Sequence, residues 1–135
     1  MRGQAGLEYA AMVAIAIAIM VPIWLYASGS MASAKAELQS SYARQLVNKV
    51  SNAADAVFVQ GEPAQLTLFV EFPEGLTSAT VAGNEVSFRL VTAAGPTDVY
   101  AVSLANLSGS LSTRPGKHRV VVKASGGAVT VSEGD

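Results

Sequence analysis

From Tyr9 to Ala34 no side chain carries a charge, and YAAMVAIAIAIMVPIWLYA, Tyr9 to Ala27, is almost wholly hydrocarbon. About 20 such residues, wound as a helix, cross the roughly 30 Å hydrocarbon core of a bilayer. The AIAIAI portion alternates with period two, as a strand would. The run is too long and unbroken for a strand, however, and a lone strand leaves its backbone unsatisfied in lipid. The stretch therefore predicts a membrane-capable helix. Pro22 removes one backbone hydrogen bond inside it and predicts a kink that membrane helices tolerate.

The helical pattern continues past the apolar run. ASGSMASA, Ala27 to Ala34, is small and uncharged, and Gly29 weakens the helix there, marking a hinge. From Lys35 the apolar residues Leu38, Tyr42, Leu46, Val50, Ala53 and Val57 recur at steps of three and four, with Lys35, Glu37, Arg44, Lys49 and Asp55 largely between them. This is one apolar stripe on a solvated helix. It ends at QGEP, where Gly61 can take a left-handed cap and Pro63 cannot continue. A helix from Gln4 to about Val59 is on the order of 80 Å long, more than one small domain can cover.

After Pro63 the period becomes two. QLTLFVEF, EVSFRLVT, TDVYAVSL, KHRVVVKA and AVTVS are separated by turn signals at Pro73–Gly75, Gly83–Asn84, Gly95–Pro96, Pro115–Gly116 and Gly126–Gly127. LTSATVA and LSGSLST supply two further short strands. Six or seven antiparallel strands predict an Ig-like β-sandwich over residues 64–132, with Leu66, Leu68, Val70, Phe72, Val86, Phe88, Leu90, Val120 and Val122 facing inward. The helical stripe is expected to close one open side. The fold class is α+β: a helix over residues 4–60, apolar over 9–34 and amphipathic over 35–59, then the β-domain.

Composition excludes several functions. Nine basic and ten acidic side chains give a net charge of −1, which offers no electrostatic basis for nucleic-acid binding. Cysteine is absent, so there are no disulfides, thiolate metal ligands or thiol nucleophiles. His118 is the only histidine, beside Lys117 and Arg119, without the spacing of a metal or catalytic site. Glu62, Glu71, Glu74, Glu85 and Asp98 form no recognisable acid–base pair, and no phosphate-binding loop, zinc-protease helix or calcium loop is present. No enzyme, cofactor or metal centre is expected. RPGKHR reads as a Pro-Gly turn with solvated charges, or as a contact for an acidic surface or glycan. Asn106-Leu107-Ser108 is an N-glycosylation acceptor pattern.

The residues before the apolar run carry the strongest functional signal. In RGQAGLEYA, Arg2 and Gly3 precede Gln4, and Glu8 stands at the mouth of the membrane helix. A cut between Gly3 and Gln4 leaves the apolar helix in the mature chain, unlike removal of a secretory signal peptide. The arrangement resembles the class III signal peptides of type IV pilin-like proteins. Its closer resemblance is to the archaeal pilins, whose pattern is a basic residue and glycine, Gln, then x-Ser-x-Glu-Tyr. Here the series is Arg2-Gly3, Gln4, Ala5-Gly6-Leu7-Glu8-Tyr9, with Gly6 where the family has serine. The downstream segments VSNAADAVFVQGEPAQLTLFVEFPEGL and LSGSLSTRPGKHRVVVKA also look like small archaeal pilins.

The resemblance implies an adhesion-pilus subunit. It is expected to be cut after Gly3 by a class III prepilin peptidase and assembled by an ATPase and membrane platform into a helical homopolymer at the cell surface. Before assembly the chain is expected to sit in membrane lipid with Arg2 inside. Glu8 would become the fifth mature residue and pair with the free amine of Gln4 on a neighbour. Gly6, Ala10, Ala14 and Ala18 stand four apart, a small-residue spacing that lets helices approach closely. Archaeal flagellins share the plan but are longer and begin differently. The alternatives are a monomeric membrane-tethered binding module with an uncut anchor, and a minor pilin.

Overall fold

The computed structural model describes residues 2–134. Its elements are α1 (Arg2–Gln60), β1 (Gln65–Phe72), β2 (Leu76–Thr92), β3 (Gly95–Ser110), β4 (Gly116–Ser125) and β5 (Ala128–Gly134). Contacts divide the chain into two compact units, Met1–Lys35 and Ala36–Asp135. The boundary falls just after the segment expected to be a hinge.

In the first unit the helix runs unbroken through Pro22. Proline lacks the N–H that the Ala18 carbonyl would otherwise receive. Ser28 Oγ donates to the Leu25 carbonyl at 3.0 Å and Ser33 Oγ to the Gly29 carbonyl at 3.2 Å. These back-bonds keep the hydroxyls satisfied without solvent.

In the second unit α1 supplies one face of the core. Ala43, Leu46, Val47, Val50, Ala53, Ala54 and Val57 are buried with strand residues in one cluster. Ala36, Ala43, Val50 and Val57 recur every seven positions, close to two helical turns, so they stay on one face. Leu38 and Tyr42, expected in the stripe, are exposed. Steps of four drift about 40° each around a helix, which carries them off that face. Gly61 closes the helix as expected: at φ 69° its N–H donates to the Val57 and Phe58 carbonyls at 3.0 and 3.2 Å.

The β-strands form one five-stranded sheet, in the order β1-β4-β5-β3-β2. All pairings are antiparallel except β3 with β5, which is parallel over three residue pairs, Leu107–Gly109 with Val129–Val131. This corrects the expected all-antiparallel β-sandwich of two facing sheets. The inward face of the single sheet is covered by the helix, because the stripe between Ala43 and Val57 already presents the apolar surface a second sheet would supply. Val70, Phe72, Val86, Phe88, Leu90, Val120 and Val122 face inward as expected. Leu68 is partly buried, and Leu66, at the start of edge strand β1, is 40% exposed.

Strand β2 doubles back on itself. The Val91 N–H donates to the Gly75 carbonyl at 2.8 Å, and Thr77 Oγ1 donates to the Arg89 carbonyl at 3.1 Å. A straight strand would hold residues 75 and 91 about 50 Å apart. Both contacts are centred on Gly83, whose φ of 63° makes the turn. The leading half of β2 is thus the expected extra strand LTSATVA.

Strand β3 accommodates this fold. Its first part pairs with Glu85–Thr92 and its last part with Thr80–Gly83, so the chain between Val102 and Leu107 passes the Gly83 turn without a β2 partner. The helix satisfies that passing segment. Ser51 Oγ donates to the Val102 carbonyl at 2.8 Å, while Asp55 Oδ1 accepts from Ser103 Oγ at 2.5 Å and from the Leu104 N–H at 2.8 Å. Ser103 is only 3% exposed, so losing this acceptor strands a buried donor. Asp55→Ala is expected to cost about 1–3 kcal/mol, measured as a lower urea midpoint, with Asp55→Asn intermediate.

Candidate functional site

Within the first unit every side chain from Gly3 to Lys35 is exposed. Leu7, Met12, Met20, Trp24 and Tyr26 are between 69% and 81% exposed, although the best window of this helix has a mean hydropathy of 2.3. The chain thus carries one helix long and apolar enough to cross a membrane, and no part of that window is buried. An apolar surface of this extent requires a covering of lipid or protein.

The sequence-predicted residues occupy the start of this helix. Arg2 opens it, and Gly3 and Gln4 lie in its first turn, whose N–H groups have no helical acceptor. That turn contains no acidic residue. Glu8 lies in the second turn, exposed, and no cation follows it on the helix until Lys35. Its carboxylate finds no counter-charge further along the apolar run.

Gly6, Ala10, Ala14 and Ala18 are all exposed and form one row four residues apart. Such a row winds slowly around the helix, so a second helix follows it by crossing at an angle rather than lying parallel. A Cβ on Gly6 would meet nothing within 4 Å. The chain itself therefore gives no internal reason for glycine at this position.

Asn106 belongs to the second unit, on the segment of β3 that passes the Gly83 turn. It is exposed, Leu107 after it is 2% exposed, and Ser108 is exposed again. The acceptor nitrogen is therefore reachable, and intact mass of native protein is expected to show a glycan increment that Asn106→Gln removes.

Two polar arrangements arise only from the tertiary pairing. Asp55 looked like one more solvated charge beside the stripe; its role depends on the passage of β3, which periodicity does not reveal. The other surrounds His118, whose ring packs on Phe72 at a centroid distance of 4.8 Å. Its Nδ1 meets the Glu133 carboxylate, and Nε2 meets the Arg114 carbonyl at 2.9 Å. Glu133 also accepts from the Ser112 N–H at 3.1 Å, so the pair ties the 112–118 segment to β5. Among the described residues no three His, Cys, Asp or Glu side chains group as metal ligands.

On the sheet's outer surface Arg89 and Asp98 form a two-point ion pair at 2.7 and 2.8 Å. The hydrogen bond from Arg89 holds the Asp98 carboxyl below its ordinary pKa, with Coulomb attraction adding to it and desolvation opposing. A depressed carboxylate contributes stability above its unfolded value and loses it as pH falls through the folded one. The site is open to solvent, so the effect on stability is small. An NMR titration is expected to place the Asp98 midpoint below that in Arg89→Gln.

Comparison of the chain with protein families, curated proteins and solved structures gave no match.

Proposed function

We propose that the chain is the structural subunit of an archaeal type IV-like adhesion pilus, polymerising through its N-terminal helix into a cell-surface filament. The observation that carries this reading is the wholly uncovered apolar helix with one carboxylate, Glu8, near its start. Lipid covers the hydrocarbon equally well, but its hydrocarbon interior offers no cation to a carboxylate carried into it. A neighbouring copy cut between Gly3 and Gln4 does, through the new amine of Gln4. An unpaired buried charge costs roughly 3–5 kcal/mol, so this pairing selects one stagger between copies. The row Gly6, Ala10, Ala14 and Ala18 provides close approach where the hydrophobic effect between helices in lipid is weak.

In this reading the helices form the filament core, and the units that follow Lys35 form its surface. Each copy contacts the next with a different surface, so the assembly does not close. A prepilin peptidase, an assembly ATPase and a membrane platform are its implied partners.

The test is N-terminal sequencing of the native chain together with fractionation of sheared cell-surface material. Gln4 is expected as the first residue, and the chain is expected in the filaments. Met1 retained on a chain confined to membranes would establish the tethered binding module instead. A trace stoichiometry in filaments would make it a minor pilin.

A further inference from the structure

The outer face of β1, β4 and β5 concentrates charge. Arg114, Lys117, Arg119 and Lys123 are four of the chain's nine basic residues, and all are exposed. Lys117, Arg119 and Lys123 alternate along β4, so they emerge from the same face of the strand flanked by β1 and β5. Phe69, directly opposite Arg119, is 74% exposed on that face. Lys49 reaches from the helix to the Phe69 carbonyl at 3.0 Å, adding a fifth cation at the β1 edge. Arg119 lies flat across Gly134: a Cβ there would stand 2.8 Å from its Nε. Phe69, Lys117, Arg119 and Gly134 border a shallow depression of about 340 Å³.

We propose that this face binds an acidic polysaccharide, a chain of sugar rings bearing spaced carboxylates. The cations match the carboxylates, with Arg119 able to make a two-point contact, and the bare ring of Phe69 suits the apolar face of a sugar. Glu71, opposite Lys117, stands within the same patch. It repels a polyphosphate, whose charges are dense, but accepts hydrogen bonds from sugar hydroxyls between widely spaced carboxylates. The net charge of −1 likewise gives nucleic acid no long-range attraction. The proposal is independent of polymerisation, since the face lies within one copy.

The test titrates the full chain, held in a zwitterionic detergent without sugar headgroups, with oligogalacturonate. Saturable binding is expected that weakens as salt rises from about 50 to about 500 mM. Arg119→Glu is expected to reduce affinity about tenfold or more, and Phe69→Ser about fivefold. Arg89→Glu, elsewhere on the sheet, should change it less than about twofold. Both patch residues are exposed, and unchanged melting temperatures will verify that the variants fold. Absence of oligogalacturonate binding would overturn the proposal, as would an unaffected Arg119→Glu variant. Tighter binding of oligothymidylate or of phosphatidylglycerol vesicles would overturn it too, in favour of a phosphate ligand.

Discussion

Gly109→Ala is expected to unfold the sheet-bearing unit or leave it barely stable. Gly109 has φ 148°, and a Cβ there would stand 1.8 Å from the Val131 carbonyl oxygen. This is about half a normal contact distance, and backbone on both sides leaves no flexible side chain to yield. The position matters because Gly109 faces Val131 in the parallel pairing of β3 with β5. In the strand order that pairing joins β2 and β3 to β1, β4 and β5. Loss of about 3–5 kcal/mol is expected, comparable to the whole margin of a small domain. Urea unfolding followed by circular dichroism measures it. Gly126→Ala is the matched control: φ is 60° but nothing lies within 4 Å, so about 1–2 kcal/mol is expected. Equal losses in the two variants would show that the close approach to Val131 does not govern stability.

Glu8→Ala is expected to abolish or severely reduce filaments while leaving membrane insertion and sheet stability unchanged. Glu8 lies in the unit before Lys35 and contributes to no part of the buried cluster. Removing it makes the helix more apolar, which favours insertion. What is lost in the proposed assembly is the partner for the Gln4 amine of a neighbour, leaving that cation buried alone. Electron microscopy of sheared material, normalised to membrane-inserted chain, gives the readout. Glu8→Asp keeps the charge but shortens its reach, so intermediate filament yield is expected. Normal filaments from Glu8→Ala would remove this residue from the mechanism.

The elements were largely legible because hydropathy and turn chemistry are local. The charge-free run from Tyr9 to Ala34 is helical, the glycine turns lie between or within strands as expected, and alternation identified Phe72, Phe88, Leu90, Val120 and Val122 as core. LTSATVA was recognisable as a strand segment; of LSGSLST only Leu107–Ser110 is strand, as the end of β3 and not a separate strand, and the pairing of neither was legible. That pairing depends on β2 folding at Gly83 and on β3 passing the turn, and both are non-local. The parallel register of β3 with β5 follows from the same passage. The stripe leaves the buried face at Leu38 and Tyr42, where four-residue steps drift around the helix, and the small residues Ala36 and Ala43 hold that face instead. For the N-terminal residues the sequence supplied the chemistry, and the structure adds their exposure and helical placement.

Because the helix provides one side of the buried cluster and the sheet, completed last by β5, the other, synthesis order matters. Ala43 to Val57 leave the ribosome well before Val129 and Val131, the strand residues that help enclose them. During that interval the nascent chain displays two oily surfaces, the uncovered helix before Lys35 and the face that its own sheet will enclose. Early insertion of the first into the membrane would separate the two surfaces while the strands are still being made.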